Sequence, residues 1–187
     1  MYIITNEDPA SVEAALLLEA LSNTLAKITG NSGVSSFDSN DVRGDRARFV
    51  VARTNAGTPI GCGAFRPINA LIAEVKRMYA APGTAGVGSA VLAHLEQEAR
   101  NVGYAELWLE TRRVNEQAVS FYQSRGYVRI PNFGKYAGNV EAVCLGKALL
   151  AERFPASVST MNPQTANPSI KRTVKGLRPS PAAYVKR

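Results

Sequence analysis

Histidine occurs once and cysteine twice in this chain of 187 residues. A zinc site of the usual kind needs about four Cys or His ligands. Cys62, Cys144 and His94 show no short ligand spacing, so no metal site is expected. Both cysteines stand inside apolar, strand-like runs, which suits buried thiols in a reducing, cytoplasmic compartment better than a disulfide framework. Long apolar runs are also missing: none approaches the roughly 18 residues that span a bilayer. The opening Met1-Tyr-Ile-Ile-Thr-Asn-Glu-Asp has no basic stretch before an apolar one, so neither a membrane nor an export address is expected. The single tryptophan, Trp108, reads as core rather than as a ligand platform.

Acidic residues are absent beyond residue 155, where Lys171, Arg172, Lys175, Arg178, Lys186 and Arg187 accumulate. The formal charge of +7 therefore resides mostly in this tail, and the rest carries 16 basic against 15 acidic residues. A nearly neutral body argues against a nucleic-acid-binding domain. The tail lacks interleaved aromatics except Tyr184 and would give only weak, nonspecific, salt-sensitive association. Its Pro, Ser, Asn and Thr without apolar periodicity predict a flexible segment over 155–187.

What is present is hydrophobic patterning, with 45% apolar residues, enough for one sizeable core. Residues 2–5 read as a short strand, and Asp8-Pro9 as an N-cap followed by proline at the first helical position. Ala14, Leu17, Leu21, Leu25 and Ile28 then recur at helical spacing up to Gly30. Residues 30–46, rich in Gly, Ser, Asn and Asp, predict a loop. Strand-like runs follow at 48–53, 60–66 and 71–80. Val87, Val91, Leu92, Leu95, Ala99 and Val102 trace a second helix ending at Gly103. A strand at 106–112, a helix at 115–125 and strands at 127–130 and 142–149 complete the order. Only 71–112 has the strand–helix–strand form that parallel pairing needs, so the remainder should pair antiparallel.

The stretch most suggestive of chemistry is Glu74-Val-Lys-Arg-Met-Tyr-Ala-Ala-Pro-Gly-Thr-Ala-Gly-Val-Gly-Ser. A strand delivers the chain to Gly83, Gly86 and Gly88, and a helix starts at once. Its first N–H groups lack intrahelical partners, and glycines allow close approach of an anion, so phosphate is the natural guest. A dinucleotide fingerprint is a poor match, because Val91 stands where its third glycine belongs.

The run 61–149 resembles the GCN5-related N-acetyltransferase (GNAT) family, in particular a branch of small bacterial acetyltransferases. Met78-Tyr79-Ala80 matches the strand end that meets pantetheine, and Ala85-Gly86-Val87-Gly88-Ser89 the loop that wraps pyrophosphate. Asn115-Glu-Gln-Ala-Val-Ser-Phe-Tyr-Gln-Ser-Arg-Gly-Tyr127 is similar to the family's Asn-x-x-Ala-x-x-Phe-Tyr-x-x-x-Gly-Phe/Tyr signature. The resemblance implies an α/β (α+β) domain over 1–154, with a central mixed, mostly antiparallel sheet flanked by helices. It also implies acetyl-CoA as cosubstrate and a small-molecule or peptide amine as acceptor; a homodimer is left open by the sequence.

By the same resemblance Glu74 is the general base and Tyr122 the acid that protonates the leaving thiolate, with Glu110 as reserve base. Asn115 contacts the cofactor or only caps its helix, and Ser89 reaches phosphate or only fills a first turn. The alternative for Glu74 is a half-exposed carboxylate paired with Lys76 or Arg112. For Tyr122 it is core packing, and for His94 a place on the rim. The segment 132–139, with Phe133 and Tyr136, and the loop 30–46 should border the acceptor pocket. One departure stands out: Gly83 occupies the family's Arg/Gln position, and the loop after Pro82 is about two residues short. Loss of that charge-assisted contact predicts CoA affinity weakened about 10-fold. The competing reading is a CoA-binding protein of this fold with impaired turnover.

Overall fold

A computed structural model of the protein describes residues 2–149. The expected tail at 155–187 lies outside the described residues. Strand β1 (Ile3–Asn6) leads to helix α1 (Val12–Thr29), and β2 (Arg48–Arg53), β3 (Pro59–Pro67) and β4 (Ile72–Ala80) follow. Helix α2 (Val87–Val102) precedes β5 (Glu106–Arg112), and α3 (Glu116–Gln123) precedes β6 (Val128–Arg129) and β7 (Ala142–Ala148). The seven strands form one sheet in the order β1-β2-β3-β4-β5-β7-β6. Every pairing is antiparallel except that of β4 with β5, which α2 connects. This is the mixed, mostly antiparallel sheet expected from the element order.

The start of α1 differs from expectation. Ser11 is its N-cap, accepting from the Ala14 amide, so the helix begins three residues after Pro9. Asp8 instead closes a tight turn by accepting from the Ala10 amide at 2.9 Å. Proline at 9 satisfies that turn as well as it would a helix start, because both require φ near −65°. The loop after α1 holds two short 3-10 turns, Val34–Ser36 and Ser39–Val42.

Helix α2 lies on one face of the sheet, where Val87, Val91, Leu92, Leu95 and Ala99 meet Val50, Phe65, Leu107 and Leu109 in the main core. Burial of each such Val, Leu or Phe contributes ~1.5–3 kcal/mol. Helix α1 covers the other face through Ala14 and Leu17 against Phe49, Val51 and Cys62. The two cysteines are buried free thiols, and burial pushes the Cys62 thiol up to about 12. Among the described residues no helix is long and apolar enough to cross a membrane, and no cluster of metal-ligating side chains occurs.

Gly61 sets how closely α2 approaches β3. A Cβ there would lie 2.6 Å from Val87 Cγ1 and 2.8 Å from the Tyr79 carbonyl oxygen, which is backbone and cannot step aside. Gly61→Ala is expected to destabilise the fold by about 1–3 kcal/mol through overpacking, measurable as a lower urea midpoint at constant m.

Candidate active site

Strands β4 and β5 pair over only three positions, Ile72 with Glu106, Ala73 with Leu107 and Glu74 with Trp108. Beyond Glu74 they part. The cause lies on the opposite edge of β4, where Cys62 faces Tyr79 but Ala64 faces Lys76, so Arg77 and Met78 together oppose Gly63 in a β-bulge. Arg77 has φ 53°, a left-handed conformation that costs a non-glycine residue energy. The bulge bends β4 away from β5 and opens the sheet in its middle.

The opening is a cleft of about 270 Å³ lined by Val75, Lys76, Arg77 and Met78 from β4 and by Glu110, Thr111 and Arg112 from β5. Asn115, Ala118 and Tyr122 of the α3 segment also line it, as do Asn31 and Ser35 of the loop after α1, and Tyr136 and Asn139 before β7. The fold thus gathers Met78, Tyr122, Glu110 and Asn115 around one space, with the loop 30–46 and Tyr136 at its border. Phe133 sits behind Tyr136, its ring 5.5 Å away, and packs on Trp108 at 5.2 Å.

Tyr122 is anchored by its ring, edge-on to Phe121 at 5.1 Å and to Tyr127 at 5.6 Å. Burial raises its hydroxyl pKa above the ordinary phenol value. The group therefore stays protonated through neutral pH and can donate. Core packing and a cleft-facing hydroxyl are compatible here, because α3 presents the ring from the side.

Glu74 differs from the half-exposed carboxylate that the sequence left open. It is 3% exposed. One carboxylate oxygen accepts from Arg66 Nε at 3.0 Å, and the other from Lys76 Nζ at 3.2 Å and from the Tyr136 hydroxyl at 3.1 Å. Arg66, rather than Arg112, is its guanidinium partner. Arg66 also reaches Asp41, tying the 3-10 turn at Ser39–Val42 to this buried network. Glu110 faces the cleft from the neighbouring strand. Its carboxyl pKa is raised, chiefly by burial, against the lowering effect of Lys76 and Arg112.

The start of α2 contrasts with the other two helix starts. Ser11 caps α1 and Asn115 caps α3, but Gly86, at φ 78°, gives α2 no side-chain cap. The hydroxyl of Tyr2 donates to the Ala85 carbonyl, holding the loop against the first strand. Val87 turns its side chain into the core, so only its backbone is available to a ligand. A Cβ on Gly88 would lie 3.4 Å from Phe121, while Ala80, at the end of β4, is partly buried against the core. Tyr79 packs toward the α1 side of the sheet. Asn115 both caps α3, accepting from the Ala118 amide at 3.2 Å, and lines the cleft. His94 is half-buried on α2, away from the cleft-lining residues, and Trp108 is half-buried.

One residue at this end escaped the sequence reading. Arg125 places its guanidinium 3.7 Å from the centre of the Phe121 ring and donates to the Phe121 carbonyl at 2.7 Å and to the Ser89 hydroxyl. A cation is thereby held at the first turn of α2. The sequence signal, an arginine just before Gly126, says nothing of which helix start it reaches.

A bent β4, an open strand pair and an uncapped helix following it thus stand together at the middle of the sheet. Residues 18–127 match the model of the acetyltransferase (GNAT) family. The chain is 30% identical over 149 residues to an IAA acetyltransferase of Azospirillum brasilense, covering 78% of this chain and 97% of that protein. A Klebsiella pneumoniae structure, solved as a candidate acyl-CoA N-acyltransferase, superposes with a TM-score of 0.68 at 27% identity, over 80% of this chain and 99% of that one. An aminoglycoside 6'-N-acetyltransferase complexed with coenzyme A shares the fold, with a TM-score of 0.57 at 15% identity over 80% and 98% of the two chains. The chain belongs to the GNAT family of acetyltransferases.

Proposed function

We propose that the protein transfers the acetyl group of acetyl-CoA directly to the nitrogen of a primary amine within a ternary complex. The observation that carries this reading is the opening between β4 and β5, a cleft lined by Glu110 and Tyr122, together with the uncapped start of α2 soon after the end of β4. Backbone N–H groups of Val87, Gly88 and Ser89 suit the pyrophosphate, and the helix dipole adds about half a positive charge there. Met78, Ala80 and Asn115 border the path of the pantetheine arm.

The chemistry needs a neutral amine. Glu110, its pKa raised by burial, accepts the amine proton as nitrogen attacks the thioester carbonyl. The C–N bond forms, the C–S bond breaks, and Tyr122 donates its proton to the departing thiolate. Glu74 is not among the residues that line the cleft, and its oxygens are already engaged by Arg66, Lys76 and Tyr136. It holds Tyr136 and Lys76 in place at the acceptor side. Reactants held in one cleft gain rate by orientation, without a covalent enzyme intermediate.

The short phosphate loop favours the second reading, a CoA-binding protein with little turnover. Arg125 answers it by supplying at α2 the cation that Gly83 does not. Arg125→Gln is expected to weaken acetyl-CoA binding about 10-fold, read by titration calorimetry. The function itself is tested by thiol release from acetyl-CoA with a panel of amines, run beside that titration. Binding with release supports transfer. Binding with no amine-dependent release supports the second reading, and no heat with millimolar acetyl-CoA overturns both.

A further inference from the structure

The acceptor side of the cleft is richer in cations than an amine-binding site should be. An amine arrives largely as an ammonium ion, which carboxylates attract and guanidinium groups repel. Lys76, Arg77 and Arg112 line this space, and Glu110 is the one carboxylate among its lining residues. Lys76 is matched by Glu74 at 3.2 Å. Arg77 is committed to the wall, donating to the Gly33 carbonyl at 2.5 Å and standing 4.9 Å over the Phe37 ring.

Arg112 is different. Its Nε is shut off from solvent and has no hydrogen-bond partner, and the guanidinium forms no ion pair among the described residues. A desolvated, unpartnered guanidinium N–H is costly, since buried polar groups are almost always satisfied. Nε itself is closed to a ligand, but the two Nη groups, which make no hydrogen bond or ion pair among the described residues, belong to a side chain that lines the cleft and form a planar donor fork that matches a carboxylate. Arg112 and Glu110 are two residues apart on β5 and point to the same side of the sheet, roughly 7 Å apart along the strand. The base and the free guanidinium are therefore set side by side at the spacing of an amine and a carboxylate a few bonds apart.

We propose that the acceptor is a small amino acid in the broad chemical sense, its amine presented to Glu110 and its carboxylate bound by Arg112. This rests on the acetyl-transfer reading above and names its substrate class. Polycationic amines, such as polyamines and aminoglycosides, bring only the repelled charge and are excluded by the same arrangement. The comparison with aminoglycoside-modifying structures extends to the fold and not to this pocket.

The test is a thiol-release assay with the common amino acids, β-alanine and γ-aminobutyrate, each beside its methyl ester, with spermidine and kanamycin as cationic comparators. At least one acid should exceed its ester in kcat/KM by 10-fold or more, and the cationic comparators should fall below it. In Arg112→Gln the acid-to-ester ratio should drop toward one through KM. Arg112→Lys, which keeps the charge without the fork, should restore part of it, a rescue that a purely structural role does not produce. An ester used as well as its acid, a ratio intact in Arg112→Gln, or preference for spermidine or kanamycin overturns the assignment. Acetyl-CoA binding measured on the same samples separates the two levels. If acetyl-CoA binds and no acid is acetylated, the acceptor class alone is wrong, whereas if acetyl-CoA does not bind, the transfer reading fails and this one with it.

Discussion

Tyr122→Phe is expected to lower kcat about 10²-fold, in the range associated with loss of a general acid, while leaving the KM for acetyl-CoA and the melting temperature close to those of the parent. The argument turns on what the substitution removes. The ring keeps its edge-on contacts with Phe121 and Tyr127 and its place in the main core. Among the described residues the hydroxyl makes no hydrogen bond to protein, so the fold loses no internal partner. What goes is the hydroxyl proposed to protonate the leaving sulfur. Without it the thiolate departs unprotonated or recaptures the acetyl group. Because burial raises the Tyr122 pKa, the parent should show no loss of activity from ionisation of this group as pH rises toward the ordinary phenol value. Thiol release under saturating acetyl-CoA checks the first expectation and the alkaline side of the pH–rate profile the second. Equal turnover in parent and variant would return Tyr122 to a packing role.

Much of this site could be read before the fold was known, and the reasons differ from residue to residue. Strand and helix order followed from apolar spacing, because Val87, Val91, Leu92, Leu95 and Ala99 can share a core only on a helix. Tyr122 and Asn115 were legible because they sit in one contiguous motif, where a single helix fixes their spacing. The glycines before α2 were legible for a similar reason, their use being local. The resemblance put Glu74 first as base and Glu110 in reserve, and nothing in the residue pattern itself could weigh that order. Each stands near the end of a paired stretch, and what distinguishes them is Arg66, from β3, occupying one and not the other. Arg125 and Arg112 were out of reach in a stronger sense. Their meaning depends on a contact between α3 and α2 and on the missing partner of one nitrogen atom. The bulge at Arg77 leaves no mark in the residue pattern, yet it opens the cleft.

Glu110→Gln and Glu74→Gln should fail in opposite ways, and that contrast assigns the base. Burial raises the Glu110 pKa, aided by Glu74 and opposed by Lys76 and Arg112. A carboxyl whose pKa is raised on folding holds its proton more tightly in the native state. Its favourable contribution is thus complete below the unfolded value of about 4.3 and is lost as pH rises through the folded pKa, above which the ionised group opposes folding. Glu110→Gln removes that penalty, so the variant should melt higher than the parent at pH 8 and show no such advantage near pH 4. Its kcat at neutral pH should fall about 10²-fold, and the acid limb of the parent's pH–rate profile should disappear. Glu74→Gln leaves the nearly buried Lys76 without its carboxylate and Arg66 with Asp41 alone, and breaking a buried pair from one side costs about 3–5 kcal/mol. That variant should lose stability first and activity with it. Were Glu74→Gln to remain folded but inactive while Glu110→Gln kept its turnover, the proton would belong to Glu74, and Glu110 would be left as a carboxylate of the cleft wall with no part in proton transfer.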